Sequence, residues 1–138
     1  MRTTFKLAIL ALLLLVSPRC FALRSLVIVT PAEAKALGIQ VRTVSASNDV
    51  RVMLEFKTDG KFAAFSYVEL EIKKDGKRQV ATQLRVDRPT PESATTYFIT
   101  DRANLDDSTL TIVVQTSDRG MVDYRLKLVD FVGSGKAP

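Results

Sequence analysis

The chain reads as an all-β protein: an antiparallel β-sandwich of about seven or eight strands, immunoglobulin-like or related, with one short helix near the mature N-terminus. Three observations predict this. From residue 39 onward apolar residues recur at every second position, the period of a strand with one buried face. Turn signals built on Gly, Asp and Ser fall between these runs. No helix of the kind needed to cross over between parallel strands separates them.

Residues 1–22 have the layout of a secretory signal peptide. Arg2 and Lys6 precede the unbroken apolar run Leu7–Val16, and Cys20-Phe21-Ala22 ends on a small residue at the cut. The run is about half of the roughly 20 apolar residues that a spanning helix needs. Cleavage before Leu23 is therefore expected, with a periplasmic or secreted product and no transmembrane span. Pro18 and Arg19 stand where a lipoprotein signal carries small residues, which counts against anchoring through Cys20.

Three of the 20 basic residues (Arg2, Lys6, Arg19) and none of the 15 acids precede residue 23, leaving 17 against 15, or +2. That balance argues against nucleic acid as a partner, because such binding neutralises many phosphates. The mature length suits one domain over 23–132. The single cysteine, Cys20, lies in the leader, and histidine and tryptophan are absent. No disulfide is then available to the mature domain, and zinc, copper, haem and iron–sulfur sites lose their usual ligands.

Along the mature chain, Leu26–Thr30 is apolar on both faces and is expected to be a covered strand. Thr30-Pro31-Ala32-Glu33 then forms a capping box with proline at the first helical position. A helix over 31–37 follows, and Gly38 stops it. Val50, Val52, Leu54 and Phe56 alternate with Arg51, Met53, Glu55 and Lys57. Val68, Leu70 and Ile72 repeat the pattern, as do Val80, Leu84 and Val86, then Leu110, Ile112 and Val114, then Val122, Tyr124, Leu126 and Leu128. Asp59-Gly60, Asp75-Gly76 and Ser117-Asp118-Arg119-Gly120 are expected to close hairpins. Residues 87–93 carry two prolines and read as an irregular loop. Residues 133–138 read as a disordered tail.

Leu110, Ile112, Asp118, Gly120 and Tyr124 stand in an order that resembles the end of an immunoglobulin-type domain. The tyrosine falls two residues too far on, and that family's disulfide cysteines and strand tryptophan are missing. Any hairpin could produce this likeness, so it assigns no family.

Catalysis finds little support. A serine nucleophile needs a base, usually histidine, and a Ser–Lys pair has no distinctive spacing here. Glu69 and Glu71 point the same way along one strand, about 7 Å apart. They read as solvated residues beside cations on neighbouring strands rather than as a glycosidase pair. No catalytic residue and no cofactor is assigned. Asp101, Asn104, Asp106 and Asp107 could gather a Ca²⁺, although Asp101 equally suits the cap of a single helical turn.

The hairpin tip Lys73-Lys74-Asp75-Gly76-Lys77-Arg78 is the main electrostatic candidate. Lys73, Lys74, Lys77 and Arg78 could meet an anionic surface, or simply guard a sheet edge. Several apolar residues fall on faces that should be wet: Met53, Val129, Phe131, Phe62, Phe65 and Tyr67. They either form a contact patch or are covered by residues 39–46 or by the helix.

These readings converge on an exported, non-catalytic binding or structural module of a cell envelope, expected to be bacterial. Its expected partner is another envelope or secreted protein, met through strand edges or a mixed apolar–basic face. The alternatives are a small envelope enzyme using carboxylates or a Ser–Lys pair, and a secreted inhibitor presenting residues 87–93.

Overall fold

A computed structural model describes residues 23–132. The expected signal peptide over 1–22 and the expected tail over 133–138 lie outside the described residues. Strand β1 (Arg24–Ile28) leads into helix α1 (Pro31–Ala36), followed by β2 (Ile39–Ala46) and β3 (Asp49–Lys57). Then come β4 (Phe65–Lys74), β5 (Lys77–Leu84), β6 (Asp87–Thr90) and β7 (Ser93–Asp101). Strands β8 (Ser108–Gln115) and β9 (Met121–Lys127) and the short helix α2 (Leu128–Val132) complete the order. The strands form two sheets, β1-β9-β8-β4-β5 and β2-β3-β7-β6, packed as the expected sandwich.

The period of two does the sorting. Val50, Val52, Leu54 and Phe56 of β3 face Val68, Leu70, Leu110, Ile112 and Leu126 of the larger sheet in one core. Edge-on aromatic contacts tie its two halves. The Phe56 ring centroid lies 5.1 Å from that of Phe65 and 5.6 Å from that of Phe62, which in turn lies 4.9 Å from Tyr124. Such contacts add about 0.5–1.5 kcal/mol each beyond burial.

The helix forms as its caps dictate. The Thr30 hydroxyl accepts from the Glu33 N–H, and the Glu33 carboxylate accepts from the Thr30 N–H at 2.8 Å. Asp75 and Gly76 both take positive φ, 50° and 71°, in the β4–β5 hairpin. The β8–β9 hairpin closes over Ser117–Gly120, with the Thr116 N–H donating to the Gly120 carbonyl.

Several expectations are corrected. The described residues form nine strands, and β1 pairs with β9 in parallel rather than antiparallel fashion. Leu26–Thr30 is not a covered strand, since all of β1 is exposed and only Val29 beyond it enters the core. An apolar run alone cannot separate a central strand from an unguarded edge. Asp59-Gly60 closes no hairpin, because β3 and β4 belong to different sheets. Gly60 instead begins a 3₁₀ turn, Gly60–Phe62, that carries Phe62 into the core.

Asp87–Thr90 is a short edge strand rather than a loop, paired irregularly with β7 around Pro89. Strand β5 shows no buried apolar face, and only Leu84 is half-buried. Residues 128–132 leave the strand period and turn helical, so Phe131 is buried rather than aligned with Arg125 and Lys127.

Candidate binding face

Register neighbours in a sheet share a face. In the smaller sheet, Val44, Arg51 and Ile99 are aligned across β2, β3 and β7. The next outward row aligns Arg42, Met53 and Tyr97. The intervening residues Val50, Val52, Phe98 and Thr100 are buried, so both rows face away from the core. The relative exposures are 62% for Val44, 71% for Tyr97 and 57% for Ile99. Met53 between them is half-buried. The result is one apolar patch carrying two guanidinium groups, with a hollow of about 350 Å³ beside Tyr97 lined by Arg85 and Asp87.

Strand β7 builds this patch by inverting the usual polarity. Its inward residues include Thr96 and Thr100, while its outward ones are Tyr97 and Ile99. The buried Thr96 hydroxyl donates to the Arg85 carbonyl at 2.6 Å, which removes the cost of an unsatisfied group. Apolar side chains are thereby left in water.

The outer face of the larger sheet is different. Arg24 of β1 reaches over β9, its Nε 2.8 Å from Asp123 Oδ2, and Arg125 approaches the same oxygen at 3.8 Å. Asp123 and its neighbour Val113 are buried beneath this cover. Further along the same face, Glu71 binds Lys73 at 2.9 Å and Arg78 at 2.6 Å. Burial pushes the Glu71 carboxyl up, but the two cations outweigh it and hold it below its ordinary range. Ion pairs cover these two stretches of the face, while Leu26 and Ile28 stay exposed on it at the β1 edge.

Of the residues singled out from sequence, Lys73 and Arg78 turn back onto Glu71, while Lys74 and Lys77 stay exposed at the tip. The four cations are therefore not one free knob. Glu71 itself is buried, which corrects the expectation that it is solvated; Glu69 beside it is half-buried. Asp101 caps the turn Arg102–Asn104, its carboxylate accepting from the Ala103 N–H at 2.9 Å. The Asn104 carbonyl accepts from the Ser108 hydroxyl at 2.5 Å, and Asp106 is exposed. Among the described residues no three Asp, Glu, His or Cys side chains are gathered to hold a metal.

Phe62 and Phe131 are core residues, and Phe65 and Tyr67 are half-buried. Phe131 packs where residues 39–41 pass it, lining a hollow with Ile39, Val41 and Pro31. Only Met53 of the suspected wet-face residues belongs to the patch. The sequence pattern singles out none of Val44, Tyr97 and Ile99. Their signal was weak because Thr95-Thr96-Tyr97-Phe98-Ile99-Thr100 carries apolar residues at both parities, which leaves the buried face unspecified. No helix among the described residues is long and apolar enough to cross a membrane. No family model matches the chain, and no curated protein matches it either.

Proposed function

We propose that this chain is an exported, non-catalytic binding module that docks a protein partner on the outer face of the β2-β3-β7-β6 sheet. The observation that carries this reading is the exposed Val44–Tyr97–Ile99 patch, with Arg42 and Arg51 set in its rows. Aromatic and arginine side chains on a rigid scaffold are the usual anchors of protein interfaces. The matching partner surface has an apolar centre with carboxylates placed to meet two guanidinium groups.

The chemistry elsewhere supports a module over an enzyme. A carboxyl serving as general acid is pushed up by its surroundings, whereas Glu71 is held down between two cations. The chain has no histidine to serve as base.

The test is a comparison of captured proteins from the native envelope. Tagged wild-type protein is set against Tyr97→Ser/Ile99→Ser and against Lys74→Glu/Lys77→Glu. A partner retained by wild type and by the lysine variant, but lost with the face variant, supports this reading. A partner lost only with the lysine variant transfers the function to the hairpin tip and overturns it.

A further inference from the structure

The two sheets offer four edges, and three of them carry the devices that block pairing with other chains. Strand β5 opens with Lys77 and Arg78 opposite a register shift at Ile72/Lys73. Strand β6 has four residues and contains Pro89. Strand β2 meets both helices near its start. Strand β1 has no lysine, no proline and no bulge, yet Leu26 and Ile28 are 53% and 60% exposed on it.

The hydrogen bonding sets which groups of β1 are open. The Leu23 carbonyl accepts from the Met121 N–H, and the Val29 N–H donates to the Arg125 carbonyl. Backbone polar groups alternate in direction along a strand. The odd-numbered residues therefore face β9, and Arg24, Leu26 and Ile28 turn their N–H and C=O groups to the edge that no other described strand covers. Their side chains share the outer face with Asp123, the register partner of Leu26.

We propose that two copies of this chain join edge to edge through β1, antiparallel, with Leu26 on the two-fold axis. In that register Leu26 meets the partner's Leu26, and Arg24 meets the partner's Ile28. All three open residues become hydrogen-bonded pairs of the narrow type. No like charges are opposed, and the Arg24 charge is already taken by Asp123 of its own chain. Residue 23 falls opposite the partner's Val29, so the pairing ends before the partner's α1 begins at Pro31. The same patch serves both copies, as a closed two-fold dimer demands, and the two five-stranded sheets become one continuous sheet. This surface is separate from the Tyr97 face, so the two readings fail independently.

Sedimentation equilibrium tests it, on purified protein up to about 1 mM, because interfaces well under ~1,200 Å² are weak. The wild-type mass is expected to rise from one chain to two. Leu26→Lys, which sets two ammonium groups against each other on the axis, is expected to stay at one chain; Tyr97→Lys is expected to dimerise as wild type does. Amide exchange on the wild type gives a second readout that needs no variant. The Leu26 and Ile28 amides are expected to slow about tenfold once most chains are paired, while those of Ser25 and Val27, already bonded to β9, change little. A single-chain mass throughout, a dimer that survives Leu26→Lys, or a dimer whose Leu26 and Ile28 amides still exchange freely overturns the proposal.

Discussion

Arg24 and Asp123 form an ion pair of 2.8 Å between the first and last strands of the domain, and it ties β1 to β9 by side chains as well as backbone. Asp123 is buried and its other oxygen, Oδ1, has no hydrogen-bond partner among the described residues, which hold the carboxylate from one side only. Removing Arg24 leaves that charge with Arg125 alone at 3.8 Å. Arg24→Ala is expected to cost about 1–3 kcal/mol in urea unfolding, short of a fully buried pair because the arginine is half in solvent. Arg24→Ala/Asp123→Val is expected to recover most of the loss, since replacing both partners removes the orphaned charge as well. A double variant no more stable than Arg24→Ala alone would show that the charge is not the problem.

Adjacent residues of β7 should separate stability from binding. Phe98 is buried between the sheets, whereas its neighbours Tyr97 and Ile99 are exposed. Phe98→Ala is expected to destabilise by about 3–5 kcal/mol through lost burial and a cavity. Tyr97→Ala and Ile99→Ala are expected to stay within about 0.5 kcal/mol of wild type. Chemical denaturation of the three variants checks the register residue by residue.

What was legible from sequence is what is local. The helix follows from contacts between Thr30 and Glu33 alone, and the Asp75-Gly76 hairpin from two residues that accept positive φ. What failed depends on distant neighbours. Glu71 is buried because Arg78 returns across the hairpin to cover it, and no spacing rule reports that. The exposure of β1 follows from its place beside the last strand, fixed only once the chain closes. Helix α2 hides because Leu128 fits the period of the strand before it. The exposed patch hides because inward threonines on β7 blur which parity is buried.

Glu71 should leave a mark on acid stability. Its folded pKa lies below the ordinary 4.5, so between the two values the unfolded chain holds the proton more tightly. The contribution is complete above about pH 4.5 and fades as the pH falls through the lower folded value. Glu71→Gln is expected to lower the midpoint at neutral pH by about 4 °C, an effect on the order of 1 kcal/mol. It should also flatten the fall in Tm on acidification. Glu33 and Asp118 are shifted down as well, Glu33 first by the Thr30 N–H and Asp118 first by the Thr116 hydroxyl. Both are fully exposed, so Glu33→Gln and Asp118→Asn should flatten the curve less. Thermal melts across the acid range decide; an unchanged acid slope in Glu71→Gln would remove the ion pair as its source.

Asp101 gives the sharpest choice between two meanings of one side chain. Its carboxylate already accepts from the Ala103 N–H at 2.9 Å and caps the turn that leads into β8. A cap contributes about 1 kcal/mol, and its effect is indifferent to divalent ions. A ligand role makes the opposite demand: calcium must raise the unfolding midpoint, because a ligand that binds only the folded state stabilises it. Asp101→Ala is therefore expected to lose about 1 kcal/mol by the same amount with and without millimolar Ca²⁺. Asp101→Asn, which keeps an acceptor oxygen at the cap, is expected to recover most of it. A wild-type midpoint that climbs with calcium while that of Asp101→Ala stays fixed would make the carboxylate a ligand and the cap incidental.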